Sequence, residues 1–222
     1  MPTLQIAPSI LAANFASLGA SIALIEQEAD VLHVDVMDGH FVPNLSLGPP
    51  VVAAIRSCTD LPLDCHLMMT NPGDYLDAFK KAGADSCTVH IEIGGTAELI
   101  ALGRTLGLKI GLALNPDAKY DTVAPWLDQI DLLLCMTVFP GFGGQSFIGD
   151  VMETVAAARA EIDRRGLATI IQVDGGIDLN TVPTAAVAGA TNFVAGTAVF
   201  GAADPAAAAR ALRQAAADAI AA

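Results

Sequence analysis

The chain has 222 residues, of which 53% are hydrophobic and 16% charged, and its formal net charge is −13. This length suits one or two domains, and the composition is too apolar for a disordered chain. The acidic balance offers no basic field to a phosphate backbone or an anionic bilayer, so we expect no nucleic-acid and no membrane partner. Residues 1–9 lack a basic segment followed by an apolar one, which predicts a cytoplasmic protein without a signal peptide.

Short apolar runs alternate with longer stretches of helical periodicity along the whole chain. Most runs are short and rich in Val, Ile and Leu, as strands buried on both faces are. In chain order, we predict strands at residues 4–9, 31–36, 63–68, 86–90, 109–114, 132–136, 169–173 and 192–195.

The intervening stretches carry helix signals. After the fourth strand, Leu99, Leu102 and Leu106 recur at helical spacing and predict an apolar helix face. Polar residues that can cap a helix N-terminus are Asn71, Asp121 and Asp204. Glycines suited to a left-handed C-terminal position are Gly83, Gly107, Gly166 and Gly189.

Strands that alternate with helices indicate β-α units and a parallel sheet. Eight such units in one chain of this length predict an α/β fold, a single-domain (β/α)8 TIM barrel over residues 1–222. The alternative is an open doubly wound sheet, which normally carries a G-x-G-x-x-G turn after its first strand. Residues 9–14 contain no glycine, so the barrel is favoured.

Several polar side chains share one face of their predicted strands. His33 and Asp35 alternate on the second strand, Asp64 and His66 on the third, and Asp174 ends the seventh. If these faces point into the barrel, a cluster forms at its C-terminal mouth, where barrel enzymes carry their chemistry. Its expected members are Ser9, Asp35, Met37, His66, Met68, Met136 and Asp174.

Two histidines and two aspartates at one mouth predict a metal site. Imidazole and carboxylate ligands suit Zn²⁺, Fe²⁺, Mn²⁺ or Co²⁺. The alternative is that His33 and His66 are core histidines satisfied by neighbouring carboxylates. Two aspartates in a dry site need a compensating charge, however, and a divalent cation supplies it.

Asp35 and Asp174 lie on the second and seventh strands, and can therefore face a substrate from opposite sides. Such a pair can remove a proton from one face of a carbon and return one to the other face. The alternative is that both act only as ligands.

Glycine-rich turns follow the sixth, seventh and eighth strands, at residues 141–146, 174–177 and 195–198. The loops after strands seven and eight are the usual phosphate site of a barrel. None of the three turns contains Lys or Arg, so backbone amides would hold the anion. Met37, Met68 and Met136 are core residues by default, but their inward positions also suit pocket walls.

The motifs together resemble one family, ribulose-phosphate 3-epimerase. The resemblance covers nearly the whole chain in order and rests on residues 9–11, 33–44, 66–68, 140–145 and 173–177. It implies a (β/α)8 barrel that interconverts D-ribulose 5-phosphate and D-xylulose 5-phosphate. It also implies a homo-oligomer, either a dimer or a hexamer.

The resemblance assigns roles residue by residue. One divalent metal ion per subunit, with zinc favoured, would be held by His33, Asp35, His66 and Asp174. Asp35 and Asp174 would be the acid–base pair. Sugar contacts would come from Ser9 and His66, with a thioether cap made by Met37, Met68 and Met136. The phosphate grip would be formed by Gly143, Gly144, Gly175, Gly176, Gly196 and Thr197.

The chain departs from the family pattern at Gly39, Ile91, Phe139 and Thr197, which bears on sugar selectivity. Three other functions compete with this one. A 3-epimerase of allulose 6-phosphate would use the same chemistry. A sugar-phosphate lyase of the same barrel type is disfavoured because Met37 stands where related decarboxylases have Lys. A non-catalytic barrel would not need both histidines and both aspartates.

Overall fold

Eight parallel strands surround a common axis in the computed structural model, which describes residues 3–222. Met1 and Pro2, the start of the segment predicted to lack a signal peptide, lie outside the described residues. The strands are β1 (Gln5–Pro8), β2 (Leu32–Met37), β3 (Leu63–Met68), β4 (Ser86–His90), β5 (Lys109–Leu114), β6 (Leu132–Met136), β7 (Ile170–Asp174) and β8 (Asn192–Ala195).

The strand order is β1-β8-β7-β6-β5-β4-β3-β2, and a parallel bridge between Ser9 and His33 joins the two ends of this sheet. The predicted (β/α)8 barrel is therefore confirmed. Each predicted strand overlaps an observed one, because runs buried on both faces are apolar throughout their length.

The helices lie outside the strands. They are α1 (Leu18–Ala23), α2 (Pro49–Arg56), α3 (Leu76–Ala82), α4 (Thr96–Thr105), α5 (Val151–Arg165), α6 (Val182–Ala188), α7 (Thr197–Phe200) and α8 (Pro205–Ala221). Between β5 and β6, the described chain forms the 3-10 helices Tyr120–Thr122 and Ala124–Trp126 in place of an α-helix. Within residues 3–222, no helix has the length and apolar character needed to cross a bilayer.

Some of the predicted helix ends are confirmed and others are wrong. Asp204 caps α8, since its Oδ1 accepts a hydrogen bond of 2.9 Å from the amide of Ala207. The prediction for Asp121 is wrong, because this residue lies inside a 3-10 helix and the described chain forms no α-helix between β5 and β6. Asn71 precedes a 3-10 helix, but its side chain donates to Asp74 instead of accepting from the backbone. All four predicted C-terminal glycines have positive φ: Gly83, Gly107, Gly166 and Gly189.

The main apolar core lies between the strands and the helices, and α4 shows how tightly it packs. The buried residues of α4 are Thr96, Ile100 and Gly103, whereas Leu102 is 37% exposed. The predicted apolar face is therefore confirmed in part, since Leu99 and Leu106 pack against the core and Leu102 is exposed. A Cβ on Gly103 would lie 2.1 Å from Cδ1 of Ile110, so the glycine brings the helix against β5.

Candidate metal centre and active site

The register between β2 and β3 places polar side chains at matching heights inside the barrel. His33 pairs with Asp64, and Asp35 pairs with His66, while Met37 faces Met68 at the C-terminal end. Next to β2, a bridge joins Ser9 to His33. Beyond β1 and β8, Asp174 lies at the end of β7. The period of two thus directs all these side chains toward one mouth of the barrel.

Four of these side chains form a compact group of metal-ligand types. One ligand atom from each of His33, Asp35, His66 and Asp174 lies within 4.8 Å of all the others. Nε2 of His33 is 3.4 Å from Oδ1 of Asp35 and 3.8 Å from Oδ2 of Asp174. Nδ1 of His66 is 3.3 Å and 3.9 Å from the same two oxygens. The two nitrogens and two oxygens therefore surround one small volume.

The donor set fits a divalent cation. Nε2 of His33 is buried and has no hydrogen-bond partner among the described residues. Such an atom is costly unless a further group occupies the volume that it faces. Two imidazoles and two carboxylates are ligands that Zn²⁺ and related cations take, and two buried carboxylates need positive charge nearby.

The two aspartates have opposite pKa shifts. Burial raises the pKa of Asp174 to about 7, and the negative charge of Asp35 adds to this effect. For Asp35, burial also acts upward, but the charges and hydrogen bonds of His33 and His66 outweigh it, and the pKa is lowered. Without a cation, one carboxylate of the pair therefore tends to hold a proton while the other is ionised.

The two histidines also differ. Burial lowers the pKa of His33, but Asp35 and Asp64 outweigh burial and hold this pKa well above its usual value. Burial lowers the pKa of His66, and the hydrogen bond with Asp35 offsets only part of that effect. The carboxylates around His33 therefore attract positive charge more strongly than the surroundings of His66 do.

Each histidine of the cluster contacts a further polar side chain that sequence reasoning did not assign to the site. Nδ1 of His33 lies 3.1 Å from Oδ2 of Asp64. Nε2 of His66 lies 2.9 Å from Nε2 of His90, whose Nδ1 is 3.1 Å from Oε2 of Glu92. The signal for Asp64 was present, since it precedes His66 by two residues on the inward face.

A cavity of about 790 Å³ opens above the cluster. Predicted site residues that line it are Ser9, Asp35, Met37, Met68, Met136, Gly143, Gly144, Asp174, Gly175, Gly176, Gly196 and Thr197. His33 and His66 are fully buried beneath the cavity and do not line it. The cavity also takes in side chains that were not predicted, among them Leu11, Val138 and Thr181.

One wall of the cavity is apolar. Met37 and Met68 are buried and pack with Val42. Met136 packs in a second buried cluster that includes Val138. The three methionines and Val138 line the cavity together with the two carboxylates.

Part of the cavity rim is made of glycine-rich backbone. At Gly176, φ is +62°, and a Cβ there would lie 2.7 Å from the amide nitrogen of Phe147 in the loop after β6. The loop after β6 is itself held by Gln145, whose Nε2 donates to the carbonyls of Phe139 and Phe142. Asn44 donates to the carbonyl of Gly141 at 2.9 Å. No Lys or Arg is among the described residues that line the cavity.

Comparison with known proteins assigns the family. Residues 5–200 match the model of the ribulose-phosphate 3 epimerase family. The chain is 47% identical over 210 residues to the ribulose-phosphate 3-epimerase of Mycobacterium leprae, covering 94% of this chain and 93% of the relative. It is 46% identical over 207 residues to that of Bacillus subtilis, covering 90% and 94%.

A solved structure shares the fold at low sequence identity. It is KGPDC from Streptococcus mutans, with a TM-score of 0.72 at 18% identity over 98% of this chain and 99% of that one. The family matches extend over nearly the whole barrel, including every strand that carries the cluster. The resemblance predicted from the motifs is confirmed, and the chain belongs to the ribulose-phosphate 3-epimerase family of isomerases.

Proposed function

We propose that this chain interconverts D-ribulose 5-phosphate and D-xylulose 5-phosphate by moving the C3 proton between Asp35 and Asp174 at a divalent metal site. The observation that carries the proposal is the buried group of two imidazoles and two carboxylates beneath the cavity. The family assignment supports the substrate.

The metal ligands are His33, Asp35, His66 and Asp174, with one ion per subunit. Zinc is the favoured ion, since imidazole and carboxylate donors suit it, and Fe²⁺, Mn²⁺ and Co²⁺ are the alternatives. When bound, the ion supplies Lewis acidity that stabilises negative charge developing on the substrate oxygens.

The proton steps belong to the two aspartates. One carboxylate takes the proton from C3, the electrons of that bond form the C2–C3 double bond, and the ketone oxygen becomes negative. The other aspartate, which carries a proton at that stage, donates it to the opposite face of C3. The electrons of the C2–C3 double bond form the new C–H bond, the C2 ketone re-forms, and the configuration at C3 is inverted. Their positions on β2 and β7 and their opposite pKa shifts support this division of roles.

Neighbouring side chains orient the pair and exclude water. Ser9 Oγ donates to Oδ2 of Asp35 at 2.5 Å, so Ser9 holds that carboxylate, and it also lines the cavity where the sugar would lie. His66 is buried beneath the cavity, so we propose it as a metal ligand and no longer as a sugar contact. Met37, Met68 and Met136 cover the planar intermediate and offer no acidic proton that would compete with the aspartates.

The phosphate is held by the glycine rim. Gly143, Gly144, Gly175, Gly176, Gly196 and Thr197 line the same cavity. Because no Lys or Arg lines the cavity within residues 3–222, backbone amides provide the binding. This grip is remote from C3 and fixes the position of the reacting carbon.

The remaining assignments follow the same proposal. Residues 1–222 form one catalytic domain, and the subunits form a dimer or a hexamer. The four cysteines are free thiols, which supports a cytoplasmic location. Met37 at the position of the decarboxylase lysine disfavours a lyase, while a six-carbon ketose phosphate is the alternative substrate.

Metal removal tests the proposal. The protein is stripped with a chelator, its metal content is verified by elemental analysis, and epimerisation is measured before and after Zn²⁺, Mn²⁺ or Co²⁺ is added back. We expect activity to fall by most of its value and to return at one ion per subunit. Full activity in verified metal-free protein would exclude the metal's role.

A further inference from the structure

We propose that two carboxylates outside the ligand set, Asp64 and Glu92, fix His33 and His66 in opposite tautomers and so direct different ring nitrogens at the metal. This inference rests on the metal site proposed above and assigns positioning roles to residues that do not touch the ion.

Asp64 acts on His33 directly. It is 2% exposed and lies beside His33 in the register of β2 and β3. An ionised carboxylate only accepts hydrogen bonds, so the 3.1 Å contact requires a proton on Nδ1 of His33. The lone pair of the neutral ring is then on Nε2, the atom that faces Asp35 and Asp174.

Donors on other strands hold the Asp64 carboxylate in place. Oδ1 of Asp64 accepts from Ser86 at 2.8 Å, and Oδ2 accepts from Gln172 at 3.1 Å. Nε2 of Gln172 also donates to Oδ1 of Asn192, whose Nδ2 donates to Gln5. A hydrogen-bonded chain therefore crosses the barrel interior and ends at His33.

Glu92 acts on His66 through His90. Oε1 of Glu92 accepts the amide of Asn115 at 2.7 Å, which leaves Oε2 to accept from Nδ1 of His90. A contact between two Nε2 atoms needs one donor and one acceptor, and Nδ1 of His66, the atom that faces Asp35, must be free of a proton to bind the ion. The 2.9 Å contact then requires that Nε2 of His66 donate.

Asp64 and Glu92 thus leave different ring nitrogens of the two histidines free to bind the ion. His33 presents Nε2, and His66 presents Nδ1, in agreement with the atoms nearest the two aspartates. Fixing the tautomer and ring orientation in this way is how neighbouring carboxylates tune histidine ligands.

Histidine ring-nitrogen NMR of the zinc-loaded protein tests the assignment without any mutation. We expect protons on Nδ1 of His33, Nε2 of His66 and Nδ1 of His90. A proton on Nε2 of His33 or on Nδ1 of His66 would overturn the proposal.

Cobalt titration of variants tests the energetic role. Asp64→Asn and Glu92→Leu should each weaken Co²⁺ binding by about 10–100-fold and alter the visible d–d spectrum. Glu92→Gln keeps an acceptor and should bind Co²⁺ more tightly than Glu92→Leu. Asp131→Asn is the matched control, because Asp131 accepts the amide of Ile110 at the other end of the barrel. This control should leave Co²⁺ affinity unchanged.

These experiments distinguish failure of the metal site from failure of the positioning role of Asp64 and Glu92. If the wild-type protein binds no Co²⁺ and no Zn²⁺, the metal site fails and this inference fails with it. If the wild-type protein binds Co²⁺ and the folded variants bind about as tightly as the wild type with unchanged spectra, only the positioning role fails. Should Asp64→Asn not fold, Glu92→Leu and the wild-type NMR measurement still decide.

Discussion

Replacing Gly176 by Ala tests how closely the loops after β6 and β7 pack at the rim of the cavity. A Cβ at this position would lie 2.7 Å from the amide nitrogen of Phe147 and 3.0 Å from the carbonyl oxygen of Gln145. Both neighbours are backbone atoms, so no side chain can rotate away. The residue also has φ of +62°, a conformation that favours glycine.

The expected loss of stability is the sum of the cost of the positive φ and the cost of the close backbone contacts. The left-handed conformation costs an alanine about 1–2 kcal/mol. Forcing an extra carbon into a packed region costs about 1–3 kcal/mol. We therefore expect Gly176→Ala to lower the free energy of unfolding by about 2–5 kcal/mol and to raise the KM for the sugar phosphate, since the loop must move.

Two neighbouring glycines provide matched controls. Gly144 has φ of +74° but nothing within 4 Å of an added Cβ, so Gly144→Ala isolates the conformational term. Gly143 has neither positive φ nor a nearby atom, and Gly143→Ala should stay within about 1 kcal/mol of the wild type. Urea denaturation measures all three variants. Equal stabilities of Gly176→Ala and Gly144→Ala would refute the proposed close packing of the two loops.

Three further predictions concern the cluster. Asp174→Asn should lower kcat by about 10²–10⁴-fold, since one proton carrier is lost, while circular dichroism shows that the fold is retained. Near-normal turnover of this variant would contradict the two-aspartate scheme. Ser9→Ala removes a buried hydrogen bond to a charged group and should lower kcat/KM by about 10–100-fold, with a loss of unfolding free energy in urea of about 1.5–3 kcal/mol. Because burial raises the pKa of Asp174 to about 7 in the metal-free protein, a proton competes with the ion at lower pH. The raised pKa of His33 adds a second competing proton, so Zn²⁺ affinity measured by calorimetry should fall by at least about tenfold for each pH unit below that value. A constant affinity between about pH 5.5 and 7 would contradict this coupling.

The fold and the grouping of the histidines and aspartates could be predicted from the sequence because both depend on local periodicity. A period of two places Asp35 two residues after His33, and the same spacing separates His66 from Asp64. Once eight parallel strands close into a barrel, these side chains meet at one mouth without further information.

Features set by contacts between distant residues could not be predicted in this way. Gln172 supports Asp64 across 108 positions of sequence, and no local pattern indicates that pairing. The buried face of α4 depends on Gly103 meeting Ile110, so the leucine spacing did not show that Leu102 is exposed although Leu99 and Leu106 pack against the core. Asp121 had the residue type of an N-cap, but the chain between β5 and β6 forms 3-10 helices.

The most direct test of the central claim is proton exchange in heavy water with D-ribulose 5-phosphate and metal-loaded protein. We expect D-xylulose 5-phosphate to form and deuterium to enter at C3, because the proton removed there exchanges with solvent through an aspartate. Exchange with allulose 6-phosphate but not with the five-carbon sugar would change the substrate and keep the mechanism. No exchange with either sugar would contradict the two-aspartate account.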